Sequence, residues 1–355
     1  MRLIHLMFFL LVIIPAAADS LNNYQMIGSH NSYKKPLPAE VKAYLKKTSP
    51  SLLAKLSYSH PSLIEQLDAG LRQLEIDVVN DPQGQQYDRP ELETLLHGNW
   101  FSKEQRASLS RPGFKVMHIP HVDAMSHCLT FTGCAEQLIA WSHQNPKHLP
   151  ITVLVNAKES QPNFLTHTPP LMFEDADYAR LDSEIKAIFG NKLITPDSVK
   201  GDYATLRNAI VESGWPALKT LRGKFLFIFD ANPQQREKYI HGHPSLEGRS
   251  MFVSVPQQWD EAAIFIRNNP VESYQEIRSL VHAGFLVRTR ADANLKESSE
   301  QMALRREAAY TSGAHFISSD FYLGAPLAKQ RGYAVSFKKQ SFVRPNPIQH
   351  NNFAY

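Results

Sequence analysis

Two histidines and a set of oxygen donors carry the chemistry that this sequence offers. His30 lies in Gly28-Ser29-His30-Asn31-Ser32-Tyr33 and His118 in Val116-Met117-His118-Ile119-Pro120-His121, each at the end of a short strand-like run. An unperturbed imidazole titrates near pH ~6.5, so two of them flanking one substrate supply a base and an acid. Between them, Arg72-Gln73-Leu74-Glu75-Ile76-Asp77-Val78 alternates polar with apolar residues. A period of two puts Glu75 and Asp77 on one face with Gln73, opposite Leu74, Ile76 and Val78. Neighbouring carboxylates repel and raise each other's pKa unless a cation or a shared proton answers them. A hard divalent metal suits a site whose candidate ligands are all oxygen donors. The alternative is a buried carboxylate pair answered by Arg72 or another inward arginine.

Such residues need a scaffold that brings distant segments to one place. Strand-like runs fall at 24–28, 71–78, 114–118, 151–155, 225–229, 251–255, 285–288 and 315–318. Helical patterns lie between them, for example 61–69 closed by Gly70 and 298–312 closed by Gly313. This alternation predicts an α/β chain with a parallel sheet covered by helices. Neither GxGxxG nor GxxxxGK[ST] occurs, so the expectation is a single, irregular (β/α)8 TIM-barrel-type domain rather than an open nucleotide-binding sheet. A barrel gathers function just beyond its strand ends. Asn156 and Lys158, Asp230, then Arg288, Arg290, Asp292 and Asn294, and finally Ser319 and Asp320 all fall there. The polar, proline-bearing stretch 80–113 reads as a rim insertion after the second strand, and 334–355 as an irregular tail.

The first 18 residues have Arg2, an apolar run and Pro15-Ala16-Ala17-Ala18, the pattern of a signal peptide cleaved after about Ala18. The run is shorter than the ~20 residues of a spanning helix, so no transmembrane anchor is expected after cleavage. Export to the periplasm or beyond the cell makes pairing of Cys128 with Cys134 the simplest use of the two cysteines. A reactive thiol is the weaker alternative. The barrel domain then spans 19–333. A net charge of +4, from 38 basic and 34 acidic residues, is too slight to argue for nucleic acid.

His30-Asn31-Ser32-Tyr33 followed by Gln66-Leu67-Asp68-Ala69-Gly70-Leu71-Arg72-Gln73-Leu74-Glu75-Ile76-Asp77-Val78 resembles the opening of the phosphoinositide phospholipase C catalytic region. His118-Ile119-Pro120-His121-Val122-Asp123, Ser126, Cys128, Trp141-Ser142 and Val287-Arg288-Thr289-Arg290-Ala291-Asp292 resemble its bacterial calcium-dependent branch. The resemblance spans 24–322. It implies a phosphatidylinositol-specific phospholipase C acting on an inositol phospholipid at a membrane surface, as a monomer. By that resemblance His30 assists the attacking inositol 2-hydroxyl and stabilises charge on the phosphoryl group. His118 protonates the diacylglycerol oxygen, and the product is a cyclic inositol phosphate.

The resemblance also implies Ca2+ held by Asn31, Glu75, Asp77 and Asn156. Asn156 departs from the pattern, because the wider family usually carries a glutamate there; one negative charge is missing. Lys158, Arg72 and Arg288 are the expected substrate-binding cations, each with a barrel salt bridge as its alternative. His121 and Asp123 either support His118 or cap a turn, and His97, Trp100 and Phe101 fall in the expected insertion. Two other functions stay open on the residues. A glycerophosphodiester phosphodiesterase shares the barrel, metal and histidines, and a phospholipid or inositol-phosphate binder with a decayed site is allowed by Asn156.

Overall fold

The computed structural model describes residues 19–165, 169–293, 295 and 297–349. Eight strands run parallel around a barrel: β1 Tyr24–Ser29, β2 Gln73–Val79, β3 Ile151–Ala157, β4 Phe225–Phe229, β5 Met251–Val253, β6 Ile264–Ile266, β7 Leu286–Arg290 and β8 Phe316–Ser319. Each pairs with the next and β8 pairs with β1, except that no ladder joins β5 to β6 among the described residues. There Ile266 N donates to Ser254 Oγ at 3.2 Å across the seam. The expected signal peptide, Asn294 and 350–355 lie outside the described residues.

Three of the sequence expectations are corrected. The run at 114–118 is not a barrel strand. Only Lys115–Val116 is extended, and it pairs antiparallel with Val78 and Val79 above the rim. The missing barrel strand is Ile264–Ile266, whose three residues are too few to show alternation. The excursion after β2 therefore does not stop at 113. It continues past His118 to the helix Phe131–Gln144, which returns the chain to β3. The tail is likewise not an appendage, because Val343–Pro345 pairs antiparallel with β1 and Asn346 N donates to Asn23 O at 2.8 Å.

The barrel interior is polar where the site needs it. β2 is buried along its whole length, with Leu74, Ile76 and Val78 in the main core cluster. Gln73, Glu75 and Asp77 lie on its other face, level with Thr152, Leu154 and Asn156 of β3. Gly28 lets β1 approach β2, since a Cβ there would lie 2.3 Å from Gln73 O. The helix Leu63–Ala69 is set by a capping box between Ser62 and Glu65 and ended by Gly70 at φ 109°. From that helix Gln66 donates to Ser32 O at 2.7 Å and accepts from Ser29 Oγ at 2.5 Å, fixing the turn that carries His30 and Asn31.

His315 closes the opposite end of the barrel. Val287 N donates to its Nδ1 at 3.1 Å and its Nε2 donates to Asn22 O at 3.1 Å, which holds the ring neutral in one tautomer. Burial lowers its pKa to about 3. The unfolded chain binds this proton below pH ~6.5 and the native chain does not, so stability falls as pH drops from that value toward the folded pKa. The ring is expected to cost about 2 kcal/mol at pH 5 relative to pH 7. In urea unfolding between pH 5 and 7, His315→Gln should show a shallower pH slope than wild type. Parallel slopes would remove the ring from the acid sensitivity.

Candidate active site

The turn after β1 places His30 and Asn31. Asn31 takes φ 48°, a left-handed conformation that asparagine tolerates better than most residues. Ser32 then locks the chain onto β2: its N–H donates to Glu75 O at 2.9 Å, and its Oγ accepts from Glu75 N at 2.7 Å. His30 Nδ1 donates to Asp320 at the end of β8, 3.2 Å from Oδ1, while Arg290 from β7 donates to His30 Nε2 at 3.3 Å. Burial, then Arg290, lowers the His30 pKa to about 4, so the ring is neutral at pH 7. Burial raises the Asp320 carboxyl, but His30, His60 and Arg290 outweigh it and hold the group well below the usual range.

His118 arrives from the other side. His118 N donates to Asp123 O at 3.0 Å and Asp123 N to Ile119 O at 2.9 Å, a tight loop that sets His118 Nδ1 3.1 Å from Asp123 Oδ2. Lys34, fully buried, places Nζ 3.1 Å from the same oxygen. Burial would raise the Asp123 pKa, but Lys34 and His118 lower it. The following segment is anchored by His127 N donating to Tyr33 O and by a Cys128–Cys134 disulfide onto the helix Phe131–Gln144. His30 and His118 both pack on Tyr58, at 5.9 and 6.3 Å between ring centroids. They open on one cavity of about 540 Å³ that Lys55, Arg290, Leu295 and Asp320 also line.

The oxygen donors converge below these rings. Glu75 Oε1 is 3.8 Å from His30 Nε2, and Asp77 Oδ2 accepts from Tyr33 at 2.9 Å and lies 3.1 Å from Lys158 Nζ. Asn156 is level with Asp77 on the adjacent strand. Asn31 Oδ1 and Asp77 Oδ1 are both buried with no hydrogen-bond partner. An unanswered buried oxygen costs about 1–3 kcal/mol, and a hard cation is a group that answers oxygens of this kind. No cluster of three or more His, Cys, Asp or Glu arranged for a metal occurs among the described residues.

Two expected substrate cations are corrected. Arg72 faces away from the barrel interior, donates to Leu67 O at 2.9 Å and Leu71 O at 2.7 Å, and lies over Trp141. Arg288 is inside but 1% exposed, spent on Glu75 Oε2 at 2.7 Å, Ser318 Oγ at 2.9 Å and Asn268. Breaking such a buried pair costs about 3–5 kcal/mol, so Arg288 orients Glu75 and does not reach substrate. Lys158 keeps 24% of its side chain exposed beside Asp77. His121 packs tilted against Tyr87 at 4.9 Å between ring centroids, and Asp123 is the partner of His118. Trp100 donates to Glu40 and Phe101 is buried, so both pack locally. Sequence reasoning overlooked Lys34, Tyr58 and His60. Only the polar run Tyr58-Ser59-His60-Pro61 between two helical patterns could have flagged the last two.

A family model described as phosphoinositide phospholipase C, Ca2+-dependent, matches residues 20–347. The chain belongs to that family. The calcium-dependent phospholipase C family is one of phosphodiesterases. Its barrel recurs in solved structures of low identity. A calcium-dependent phosphoinositol-specific phospholipase C from a Pseudomonas species shares 15% identity at TM-score 0.53, covering 94% of this chain and 98% of its own. The Ca2+-dependent enzyme from Streptomyces antibioticus shares 18% at TM-score 0.56, covering 93% and 99%. No curated protein gives a significant match.

Within this phospholipase C site the Asp320 contact sets which nitrogen of His30 carries the proton. Asp320→Asn presents an amide that can donate to Nδ1 and so stabilise the other tautomer. Turnover of inositol phospholipid, measured well below the variant's own unfolding temperature, is expected to fall at least about a hundredfold. Retained turnover would separate Asp320 from the function of His30.

Proposed function

We propose that the protein is an exported phosphoinositide phospholipase C in which His30 is the base and His118 the acid. Two imidazoles, each backed by its own buried carboxylate and opening on one cavity beside unanswered oxygens, carry this reading. His30 Nε2 takes the proton of the inositol 2-hydroxyl as that oxygen bonds to phosphorus. The phosphorus–glycerol oxygen bond breaks, and His118 gives its proton to the departing oxygen. The products are diacylglycerol and a cyclic inositol phosphate. Arg290, beside His30 Nε2, and Lys158 are placed to meet the phosphoryl oxygens or an inositol hydroxyl. Asn31, Glu75, Asp77 and Asn156 would hold Ca2+, which supplies Lewis acidity toward a phosphoryl oxygen and a lower pKa for the hydroxyl.

A similar fold from the same Pseudomonas enzyme is described in complex with myo-inositol, at 14% identity and TM-score 0.53. That likeness and the cavity size suit an inositol head group. Export rests on the leader-like residues 1–18 and on the disulfide, which persists in oxidising compartments. No helix among the described residues is long and apolar enough to cross a membrane; in this reading a monomer meets its substrate at a lipid surface.

Phosphorus NMR of phosphatidylinositol digests, with calcium and with chelator, tests the reading. A cyclic phosphate signal that needs calcium supports it; an acyclic first product, or none, overturns it. His30→Ala and His118→Ala are each expected to lose at least about a hundredfold in turnover, the scale of a lost acid or base. Near-normal rates in either variant would exclude that residue. Asp77→Asn should raise the calcium concentration needed for half-maximal rate, and an unmoved titration would exclude it as a ligand.

A further inference from the structure

The site contains a third imidazole that the proposed steps do not use. His60 lies in the segment between the helices Pro50–Leu56 and Leu63–Ala69 and is 0% exposed at its side chain. Its backbone is fixed, with N donating to Lys34 O at 2.9 Å and its carbonyl accepting from His127 Nε2 at 2.8 Å. The ring is held flat between two aromatic partners, stacked on Tyr322 at 5.6 Å and edge-on to Tyr58 at 5.7 Å. Neither ring nitrogen has a well-directed hydrogen bond, although both are buried. Leaving such atoms unanswered costs about 1–3 kcal/mol each, and a phenylalanine of similar size would avoid the cost.

What the imidazole offers that an apolar ring does not is its approach to Asp320. Nε2 lies 3.4 Å from Asp320 Oδ1, the oxygen that is 3.2 Å from His30 Nδ1. Asp320 therefore stands between two imidazoles, with Arg290 Nη2 at 3.5 Å from its second oxygen and its N–H donating to Asp292 Oδ2 at 3.1 Å. A carboxylate free to rotate about its side-chain torsion would let the His30 ring rotate with it. Contacts on both oxygens stop that rotation. Asp320 lines the cavity and His60 does not.

We propose that His60 is a positioning residue: its Nε2, 3.4 Å from Asp320 Oδ1 in a long ion-pair contact, restrains that carboxylate, which keeps His30 in the tautomer and orientation that point Nε2 at the inositol 2-hydroxyl. The inference rests on the proposed function, in which His30 takes that proton. It acts only through Asp320, so its effect must vanish when Asp320 cannot hold the His30 Nδ1–H. Its loss should lower kcat and leave KM nearly unchanged, because no substrate contact is removed.

The test uses the full mature chain, phosphatidylinositol in mixed micelles and saturating calcium, with unfolding temperatures as the folding control. His60→Gln keeps an N–H donor near the position of Nε2, whereas His60→Asn and His60→Leu do not. We expect His60→Asn and His60→Leu each to lose about tenfold in kcat with KM within twofold, and His60→Gln to recover most of the loss. In an Asp320→Asn background, His60→Leu should add less than twofold. Equal losses for Gln, Asn and Leu, a His60→Leu rate within twofold of wild type, or a full tenfold effect persisting without Asp320 would each overturn the proposal. Loss of turnover in His30→Ala with none in His60→Leu sinks the positioning role alone. Full activity in His30→Ala sinks the reading beneath it.

Discussion

Glu75 and Asp77 put two carboxylates inside a barrel, and the rest of the rim is arranged around the need to answer them. Arg288 reaches across from β7 to Glu75 at 2.7 Å, and Lys158 comes from beyond β3 to Asp77 at 3.1 Å. These pairs neutralise the charge formally but leave Asn31 Oδ1 and Asp77 Oδ1 buried and unbonded. Two cations are thus committed to the carboxylates while two buried oxygens stay unanswered. A divalent ion there would gain from the oxygens and work against the nearby lysine and arginine, and an asparagine at 156 would bring it no negative charge.

The histidines follow the same logic at the next level outward. Each is tied through Nδ1 to a buried aspartate, and each aspartate is itself held by another basic group: Lys34 on Asp123, Arg290 and His60 on Asp320. A carboxylate buried without such partners would take up a proton and cease to orient its imidazole. Tyr58 is the common wall. Its hydroxyl accepts from Asn31 Nδ2 at 2.5 Å while its ring receives His30 and His118, so metal-side and proton-side groups share one rigid aromatic support.

The barrel departs from regularity where the chemistry needs reach. His118 does not come from a barrel strand. It rides on an excursion that extends β2 past the rim through Lys115–Val116 and then turns tightly at 118–123. The disulfide, the bond from His127 N to Tyr33 O and the bond from Lys35 N to Met125 O replace the ladder that a barrel strand would have supplied. The expected strand at 114–118 was thus a correct reading of local extension and a wrong reading of what it pairs with. Hydrophobic runs report burial and backbone shape, but not the partner strand.

Local pattern determined a good deal here. Alternation along 73–79 put Glu75 and Asp77 on one face whatever the fold, because side chains in a strand alternate by covalent geometry. Gly70 and Gly313 closed helices as their backbone freedom dictates, and the order of short motifs was enough to point to the family. Tertiary structure alone decided which charges meet. Arg72 and Arg288 look alike in sequence, yet one lies outside against Trp141 and the other inside on Glu75, 213 residues away. Lys34 belongs to no motif that marks it and Tyr58 and His60 only to a short polar run, because their part in the site exists through contacts with residues elsewhere in the chain, Asp123, Asn31 and Asp320. Spacing in sequence encodes the face a residue takes on its own element; Coulomb and hydrogen-bond partners are chosen by distance in space, which closure of the barrel sets.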